Sequence, residues 1–330
     1  MIELKDVTKR FKLKGDAARK RKTFTAVNEL NLSWRRGEFI SVVGESGCGK
    51  STLAKMIAGL TEPTEGTMSL NGEPVRLHNQ AERVKWARTV QVVPQDPYAS
   101  LNPVRKVRSS LADAFLYHKL STRQDLNKKM ESLLEHVGLS GRETLDKYPH
   151  QLSGGQRQRL VIARALSVDP DFLIADESVS MMDVSLRVGI LDYLKQVSRD
   201  RDLGLLFITH DFRVARYISI TGKIAVMYLG HIVEYGPTEE ILTNPMHPYT
   251  QSLISAVPLI AGRERRVEEV VPKSFELDNV DETYHGCPFA ARCPFAQPDC
   301  LEERPVLSET VSQHHVACHY ATARKMIVNQ

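Results

Sequence analysis

Apolar and polar residues alternate at the start of the chain, a pattern that is typical of half-buried β-strands. The first alternation covers residues 2–7, and a second covers residues 26–32. The run RRGEFISVVG then rises to a glycine-rich loop that begins at Gly44. We therefore predict two strands joined as a hairpin near the N-terminus, followed by a strand that ends at this loop.

The middle of the chain has a different pattern, with residues 104–148 rich in Leu, Lys, Glu and Ala. Within it, TRQDLNKKMESLLEHVGL places apolar residues at helical spacing and closes around Gly138, so we predict a helical insertion. After it, the strand-like segments DFLIAD, LGLLFIT and KIAVMYLG alternate with helical patterns. This alternation indicates βα units and an α/β fold with a mostly parallel sheet.

The pattern becomes irregular from Val257 onward, with scattered Pro, Cys and His. We place a boundary near Pro258, which divides the 330 residues into a domain at 1–257 and a C-terminal extension at 258–330. The helical subdomain of the first part covers about residues 96–165. The extension has few aliphatic runs and cannot bury much core, so we expect a metal site to stabilise it.

A basic segment, KLKGDAARKRK, lies between the first two strands at residues 12–22. The simpler interpretation is a solvated hairpin loop, and the alternative is a patch that contacts anionic lipid head groups. No comparably basic run returns later in the chain.

The amino-acid composition indicates a globular protein but does not indicate a particular function. The hydrophobic content of 42% and the charged content of 25% are ordinary for a globular protein. The net charge of +4 is too small to indicate nucleic acid as a partner, and we expect none. Neither a membrane-spanning run nor the apolar core of a signal peptide is present in the sequence.

The segment GESGCGKST matches the phosphate-loop pattern G-x-x-x-x-G-K-[ST] between a strand and a predicted helix. Its backbone N–H groups can surround phosphates, Lys50 can neutralise the β and γ oxygens, and the Ser51 hydroxyl can bind Mg²⁺. Cys48 occupies a variable position and is interpreted as a small residue that fits. The residues predicted to contact nucleotide here are Gly44, Glu45, Ser46, Gly47, Cys48, Gly49, Lys50, Ser51 and Thr52.

A second site, which is acidic, supports the prediction of a phosphate loop. The strand-like DFLIADES ends in Asp176 and Glu177, and a buried strand would deliver both carboxylates to the edge of the sheet beside the phosphate loop. Asp176 then suits the Mg²⁺ shell. Glu177 points differently and can polarise the attacking water.

The segment LSGGQ, with Ser153, Gly154, Gly155 and Gln156, resembles the signature motif of ABC-type ATPases. The resemblance covers residues 1 to about 257 and implies a P-loop ABC-type ATPase, with a mostly parallel core sheet, an antiparallel β subdomain and a helical subdomain. It implies that Gln95 contacts Mg²⁺ and the water, and that His210 holds the γ-phosphate and Glu177. Asp183 resembles the aspartate of the D-loop.

The signature segment also has a physical interpretation. Ser153 begins a helix with two glycines behind it, and its hydroxyl and the free N–H groups form an anion site. Because the phosphate loop already holds a phosphate in the same subunit, we expect this site to bind the γ-phosphate on a partner. Two such ATPases would pair head to tail around two ATP molecules, as the resemblance also implies.

Two positions depart from the family pattern. An aromatic residue is expected to stack on adenine, and both Phe11 and Phe24 are candidates, with Phe11 favoured. Met181 and Met182 stand where Ala-Leu is commoner in this family, but Asp183 is present, so we expect catalysis to persist.

Four of the five cysteines lie in the extension, at Cys287, Cys293, Cys300 and Cys318, spaced C-x₅-C-x₆-C-x₁₇-C. Four thiolates can bind zinc or an iron–sulfur cluster, and the spacing is longer than the usual zinc pairing. This stretch resembles the C-terminal extension of ATPases that power oligopeptide and dipeptide importers. The resemblance implies a [4Fe–4S] cluster, with zinc as the alternative and free thiols as the least favoured state.

The sequence therefore predicts the ATP-hydrolysing subunit of a peptide-type importer, on the cytoplasmic face of the cell membrane. The resemblance implies a sibling ATPase, two transmembrane permease subunits and, indirectly, an extracytoplasmic solute-binding protein as partners. The alternative is an ABC-type ATPase that works as a regulator or assembly factor without a transporter. Because every nucleotide-binding motif precedes residue 257, we expect the change of any one of these four cysteines to serine to affect ATP hydrolysis less than it affects the metal site.

Overall fold

The computed structural model describes residues 1–12, 23–179, 182, 184–256, 270–274, 284–311 and 313–323. The described residues do not include most of the basic segment at 12–22, nor Met181 and Asp183. The predictions made for these residues therefore stay predictions.

Two sheets contain the strands that the alternating and apolar runs of the sequence predicted, together with further short strands. The strands are β1 Ile2–Lys12, β2 Thr23–Trp34, β3 Phe39–Val43, β4 Glu65–Leu70, β5 Glu73–Pro74, β6 Val90–Val93, β7 Phe172–Asp176, β8 Gly204–Thr209, β9 Lys223–Tyr228, β10 His231–Pro237, β11 Ser308–Val311 and β12 His314–Val316. The helices are α1 Lys50–Ile57, α2 Gln80–Thr89, α3 Pro97–Ser100, α4 Val107–Tyr117, α5 Leu126–His136, α6 Gly141–Leu145, α7 Gly154–Leu166, α8 Val184–Asp200, α9 Phe212–Ser219, α10 Thr238–Thr243, α11 Pro248–Ser255 and α12 Asp299–Glu302.

The smaller sheet is antiparallel and has the strand order β2-β1-β4-β5. Its first two strands form the predicted hairpin and are longer than the alternation suggested, because pairing continues to Lys12 and Thr23. The larger sheet has the order β11-β12-β10-β9-β3-β8-β7-β6, in which β9, β3, β8, β7 and β6 are parallel neighbours. The predicted α/β fold with a mostly parallel sheet is thus confirmed.

Helices α3 to α7 lie between β6 and β7 in the chain and form the helical insertion that the sequence predicted. Helix α5 buries Met130, Leu133 and Leu134 on one face, as its apolar spacing requires. The chain leaves this helix through Gly138 at a φ of 71°, a left-handed conformation that glycine adopts without a steric cost.

The C-terminal extension joins the same large sheet. Strand β12 pairs with β10 in antiparallel register, and β11 pairs with β12. A buried hydrogen bond crosses this junction, with His314 Nε2 2.7 Å from Glu234 Oε1 and both side chains fully buried. Apolar side chains of the extension, including Phe289 and Ala290, share one core cluster with Tyr228 and Tyr249. The apolar side chains of the extension therefore pack against those of the ATPase region in one shared hydrophobic core.

No helix among the described residues is both long enough and apolar enough to cross a membrane.

Candidate nucleotide site and cysteine pocket

The predicted phosphate loop lies between β3 and α1, at the carboxyl end of the parallel sheet. Two of its glycines are required by close packing or backbone conformation. A Cβ at Gly49 would lie 2.1 Å from the backbone oxygen of Ala26, and its φ is 107°. Gly47 has a φ of 83° and faces open space, with nothing within 4 Å of a Cβ built there. This geometry leaves the inner face of the loop free for phosphate oxygens.

Lys50 is buried and its ammonium group lies across the loop, where Nζ donates to the backbone oxygens of Gly44 at 2.7 Å and Glu45 at 2.8 Å. The Ser51 hydroxyl donates to Asp176 Oδ1 at 3.2 Å, which joins the start of α1 to the end of β7. Burial raises the pKa of Asp176, and the Ser51 hydrogen bond opposes that shift. A divalent cation is the group that this hydroxyl–carboxylate pair fits.

Glu177 follows β7 directly and adopts a φ of 44°, in the left-handed region that is uncommon for residues other than glycine. Its carboxylate contacts both Gln95 and His210, of which the sequence predicted the second. Gln95 Nε2 donates to Oε2 at 3.0 Å, and His210 Nδ1 lies 3.6 Å from Oε1. Residues far apart in the chain thus surround one carboxylate beside the phosphate loop, an arrangement that can hold and polarise a water.

Ser153 is the N-cap of α7, as the sequence predicted. Its hydroxyl accepts from the Gln156 N–H at 3.3 Å, and Gln156 Oε1 accepts from the Ser153 N–H at 3.0 Å. In this capping box, two of the N–H groups that could bind an anion at the start of the helix instead donate to side chains of the helix itself. The neighbouring Gly154 faces open space.

The two candidates for adenine stacking are direct neighbours. Phe11 on β1 pairs with Phe24 on β2, so both side chains lie on one face of the small sheet. Their exposed fractions are 40% and 46%, and Lys9 Nζ lies 5.3 Å from the centre of the Phe11 ring.

The structure gathers the four cysteines of the extension around one small pocket, which His247 also lines. All four are free thiols. Burial raises the pKa of Cys287 to about 12 and that of Cys318 to about 11, and it also raises the pKa of Cys293. Among the described residues, no group of three or more His, Cys, Asp or Glu side chains is arranged so that it could hold a metal ion.

Backbone N–H groups also point at these sulfur atoms. Hydrogen bonds from the N–H groups of Phe289, Phe295 and Tyr320 lower the pKa of Cys287, Cys293 and Cys318 respectively, against the larger effect of burial. In each case the donor lies two residues beyond the cysteine. Such bonds stabilise a thiolate once its proton is lost.

Two residues at the phosphate loop were missed by the sequence analysis. The Glu45 N–H donates to the Tyr249 hydroxyl at 2.9 Å, and the Glu45 carboxylate pairs with Arg292 of the extension. Tyr249 gave no signal in the sequence. Arg292 gave a weak one, because it is the only charge in GCPFAARCPFA.

A phosphate loop, an aspartate at the end of a buried strand and a glutamate in contact with Gln95 and His210 together form the arrangement of a nucleoside triphosphatase site. The ABC transporter family model matches residues 27–180, and the model of the oligopeptide/dipeptide transporter C-terminal region matches residues 233–300. The dimeric ATP-binding cassette MJ0796, solved in a post-hydrolysis state with ADP and Pi, superposes with a TM-score of 0.62 at 28% identity, over 72% of this chain and 99% of that one.

Curated relatives match over nearly the whole chain. The oligopeptide transport ATP-binding protein AppF of Bacillus subtilis is 40% identical over 97% of both chains. OppF of Salmonella typhimurium, another oligopeptide transport ATP-binding protein, is 41% identical over 90% of this chain and 88% of its own. The chain therefore belongs to the ABC transporter ATP-binding proteins of the oligopeptide/dipeptide group, and it is an ATPase.

Proposed function

We propose that this chain hydrolyses ATP to power the import of peptides or related small solutes through a membrane ABC transporter. The observation that carries this proposal is that relatives named for oligopeptide transport match both the ATPase region and the C-terminal extension, over 97% of the chain. An ABC-type ATPase without a transporter would share the first region and would not need the second.

The arrangement of the site supports separate roles for the phosphate loop, the residues that would bind Mg²⁺ and Glu177. Lys50 and the loop N–H groups bind the β and γ phosphates of ATP. Ser51, Asp176 and Gln95 would hold Mg²⁺, which would neutralise developing charge on the phosphates. Glu177 polarises the attacking water, while its contacts with Gln95 and His210 fix its direction.

The partners of this reaction also belong to the proposal. Ser153 and the start of α7 contact the γ-phosphate bound by a sibling ATPase, in a head-to-tail dimer. The dimer works beneath two permease subunits at the cytoplasmic face of the membrane, and an extracytoplasmic protein delivers solute. Asp183, which lies outside the described residues, would contact the nucleotide as the aspartate of the D-loop.

Uptake of labelled di- and oligopeptides by a deletion strain tests the function. We expect uptake to be lost in the deletion, to return with the wild-type gene, and to stay absent with Glu177→Gln. Co-purification with polytopic membrane proteins should accompany it. Normal peptide, oligosaccharide and metal-chelate uptake in the deletion strain, together with a chain that purifies without membrane subunits, would favour the regulator instead.

We also propose that the four cysteines hold a [4Fe–4S] cluster, with zinc as the alternative. Four thiols around one pocket supply its full set of ligands. The N–H groups that point at three of the sulfurs would stabilise the thiolate form. No group of three or more ligating side chains among the described residues is arranged to hold a metal ion, so the proposal rests on the four thiols that share one pocket.

A buried donor beside the cysteines supports the same proposal. Burial lowers the pKa of His247 to about 3, so its ring is neutral. Nδ1 accepts from the Tyr249 N–H at 3.1 Å, and the ring proton therefore lies on Nε2. That atom is buried and has no hydrogen-bond partner among the described residues. A bound group with acceptor sulfurs in this pocket could satisfy it.

Metal analysis of anaerobically purified protein tests the cluster. We expect brown protein with a broad visible absorbance and with iron and sulfide in equal amounts. Cys300→Ser should bleach the colour, whereas Cys48→Ser should leave it unchanged, because Cys48 lies in the phosphate loop. Colourless protein with one zinc per chain would establish the alternative, and protein without metal would contradict both.

A further inference from the structure

Arg292 of the C-terminal extension reaches into the phosphate loop. Its side chain is 2% exposed and forms a two-pronged ion pair with Glu45, with Nη1–Oε2 at 2.8 Å and Nη2–Oε1 at 3.0 Å. Paired N–H···O bonds of this kind fix geometry as well as charge, because the planar guanidinium matches both carboxylate oxygens. The extension is therefore in direct contact with the nucleotide site.

Glu45 is held from three directions. Its carboxylate meets Arg292, its N–H donates to the Tyr249 hydroxyl, and its carbonyl oxygen accepts from Lys50 Nζ at 2.8 Å. Lys50 is the residue that neutralises the phosphates. A shift of Glu45 would thus move both the loop backbone and its lysine.

The position of Arg292 is set by the turn that carries the cysteines. Its own N–H and that of Cys293 both donate to the Phe289 carbonyl oxygen, at 3.0 and 2.9 Å. Its Nε donates to the Ser274 carbonyl oxygen at 2.9 Å, and its guanidinium lies 5.6 Å from the centre of the Tyr228 ring. A change in this turn would be transmitted to Glu45 through one rigid side chain.

Charge gives Arg292 a second effect. Glu45 places a carboxylate in a loop that must hold a triphosphate, and an unpaired carboxylate there would repel the phosphate oxygens. Arg292 neutralises that charge and satisfies both oxygens. A lysine at this position could supply the positive charge, but it could not form the two parallel hydrogen bonds of the guanidinium.

We propose that Arg292 is a positioning residue of the nucleotide site, which neutralises Glu45, orders the phosphate loop and makes ATP affinity depend on the C-terminal extension. This inference rests on the phosphate loop and on the Arg292–Glu45 pair, and it holds whether or not the cysteines bind a metal.

Titration calorimetry with a slowly hydrolysed ATP analogue and Mg²⁺ tests the pair. We expect Arg292→Met to weaken binding about 10-fold, since one partner of a charge pair is lost and the other stays beside the phosphates. The double variant Arg292→Met with Glu45→Gln should recover to within about threefold of wild type, because the repelling charge is gone. Arg292→Lys should fall between wild type and Arg292→Met.

Recovery in the double variant separates positioning from general loss of structure. If Arg292→Met binds as wild type does, or if the double variant is as weak as Arg292→Met or weaker, the proposal is wrong. Should Arg292→Met fail to fold, Arg292→Gln alone and combined with Glu45→Gln gives the same comparison, because glutamine also removes the positive charge.

Arg304 supplies the matched control, since it also joins the extension to the ATPase region, through Glu29 on β2 rather than through a residue of the phosphate loop. Arg304→Gln should leave ATP affinity within about twofold of wild type, as expected for a partly exposed pair. Amide exchange over residues 44–51 without nucleotide should be faster in Arg292→Met and unchanged in Arg304→Gln. Equal weakening by the two variants would overturn the proposal.

Discussion

The nucleotide site and the cysteine pocket each gather functional groups from distant parts of the chain, but they do so in opposite surroundings. At the first, the His210 side chain is 62% exposed, and Glu177, Gln95 and Asp176 already have polar partners. At the second, the thiols are largely buried among Phe289, Phe295 and Pro305, and burial raises the pKa of three of them.

The difference shows how each site is built. Strand ends and a helix start fix the nucleotide site, so its groups are in place before ATP and Mg²⁺ arrive. Turns and short helical pieces hold the cysteine pocket, where ionised thiolates would be costly without a metal or another positive partner. We therefore expect changes at the first site to affect the reaction itself, and changes at the second to affect the stability of the extension and, through Arg292, ATP affinity.

The largest effect should follow Glu177→Gln. ATP binding should persist, because Lys50 and the loop are intact, whereas hydrolysis should fall by about 10²- to 10⁴-fold since only the water-polarising group is lost. Steady-state phosphate release and analytical ultracentrifugation with ATP measure both, and an ATP-bound dimer should accumulate. Hydrolysis near the wild-type rate would remove Glu177 from the mechanism.

Ser153→Arg should have the next largest effect, and it should act on the partner's nucleotide. In a mixed dimer with one altered signature, hydrolysis should be lost at the site that the altered helix faces. Since Ser153 also caps α7, this variant loses about 1 kcal/mol of helix stability as well. Ser153→Asp is the control: it keeps the cap and still repels phosphate, so it should show the same pattern. A defect at the altered subunit's own phosphate loop would contradict the head-to-tail pairing.

Cys300→Ser should have a smaller effect on hydrolysis. We expect kcat to stay within about 10-fold of wild type while thermal unfolding of the extension shifts to lower temperature, because a hydroxyl replaces a thiolate poorly as a ligand. Cys48→Ser, in the phosphate loop, should leave that transition unchanged. The rate of proteolysis within residues 284–323 distinguishes Cys300→Ser from Cys48→Ser. If the extension of Cys300→Ser resists protease as well as that of the wild type, the cysteine pocket does not stabilise the extension.

The smallest effect should come from the exposed aromatic pair. Phe11→Ala should raise the KM for ATP by about threefold to 10-fold, the loss of one stacking contact, and Phe24→Ala should raise it less. Because adenine is the base concerned, competition by ADP should weaken in parallel while inhibition by inorganic phosphate should not. A larger effect of Phe24→Ala would assign the stacking role to Phe24.

Local patterns in the sequence predicted much of the nucleotide site. The phosphate loop, the acidic strand end and the signature segment are short and contiguous, and each performs its role through backbone geometry that its own residues impose. The order of strands and helices followed from apolar periodicity, so Asp176 and Ser51 could be expected at the same sheet edge. Their hydrogen bond confirms that proximity.

The relation of the C-terminal extension to the ATPase region was decided only by tertiary structure. Sequence spacing showed four cysteines, but it gave no reason to expect β11 and β12 in the main sheet or Phe289 in a shared core. Nor could it place Arg292 against Glu45, 247 residues earlier in the chain. Local sequence determines the conformation of a loop or helix, whereas a contact between distant segments depends on packing that no short pattern encodes.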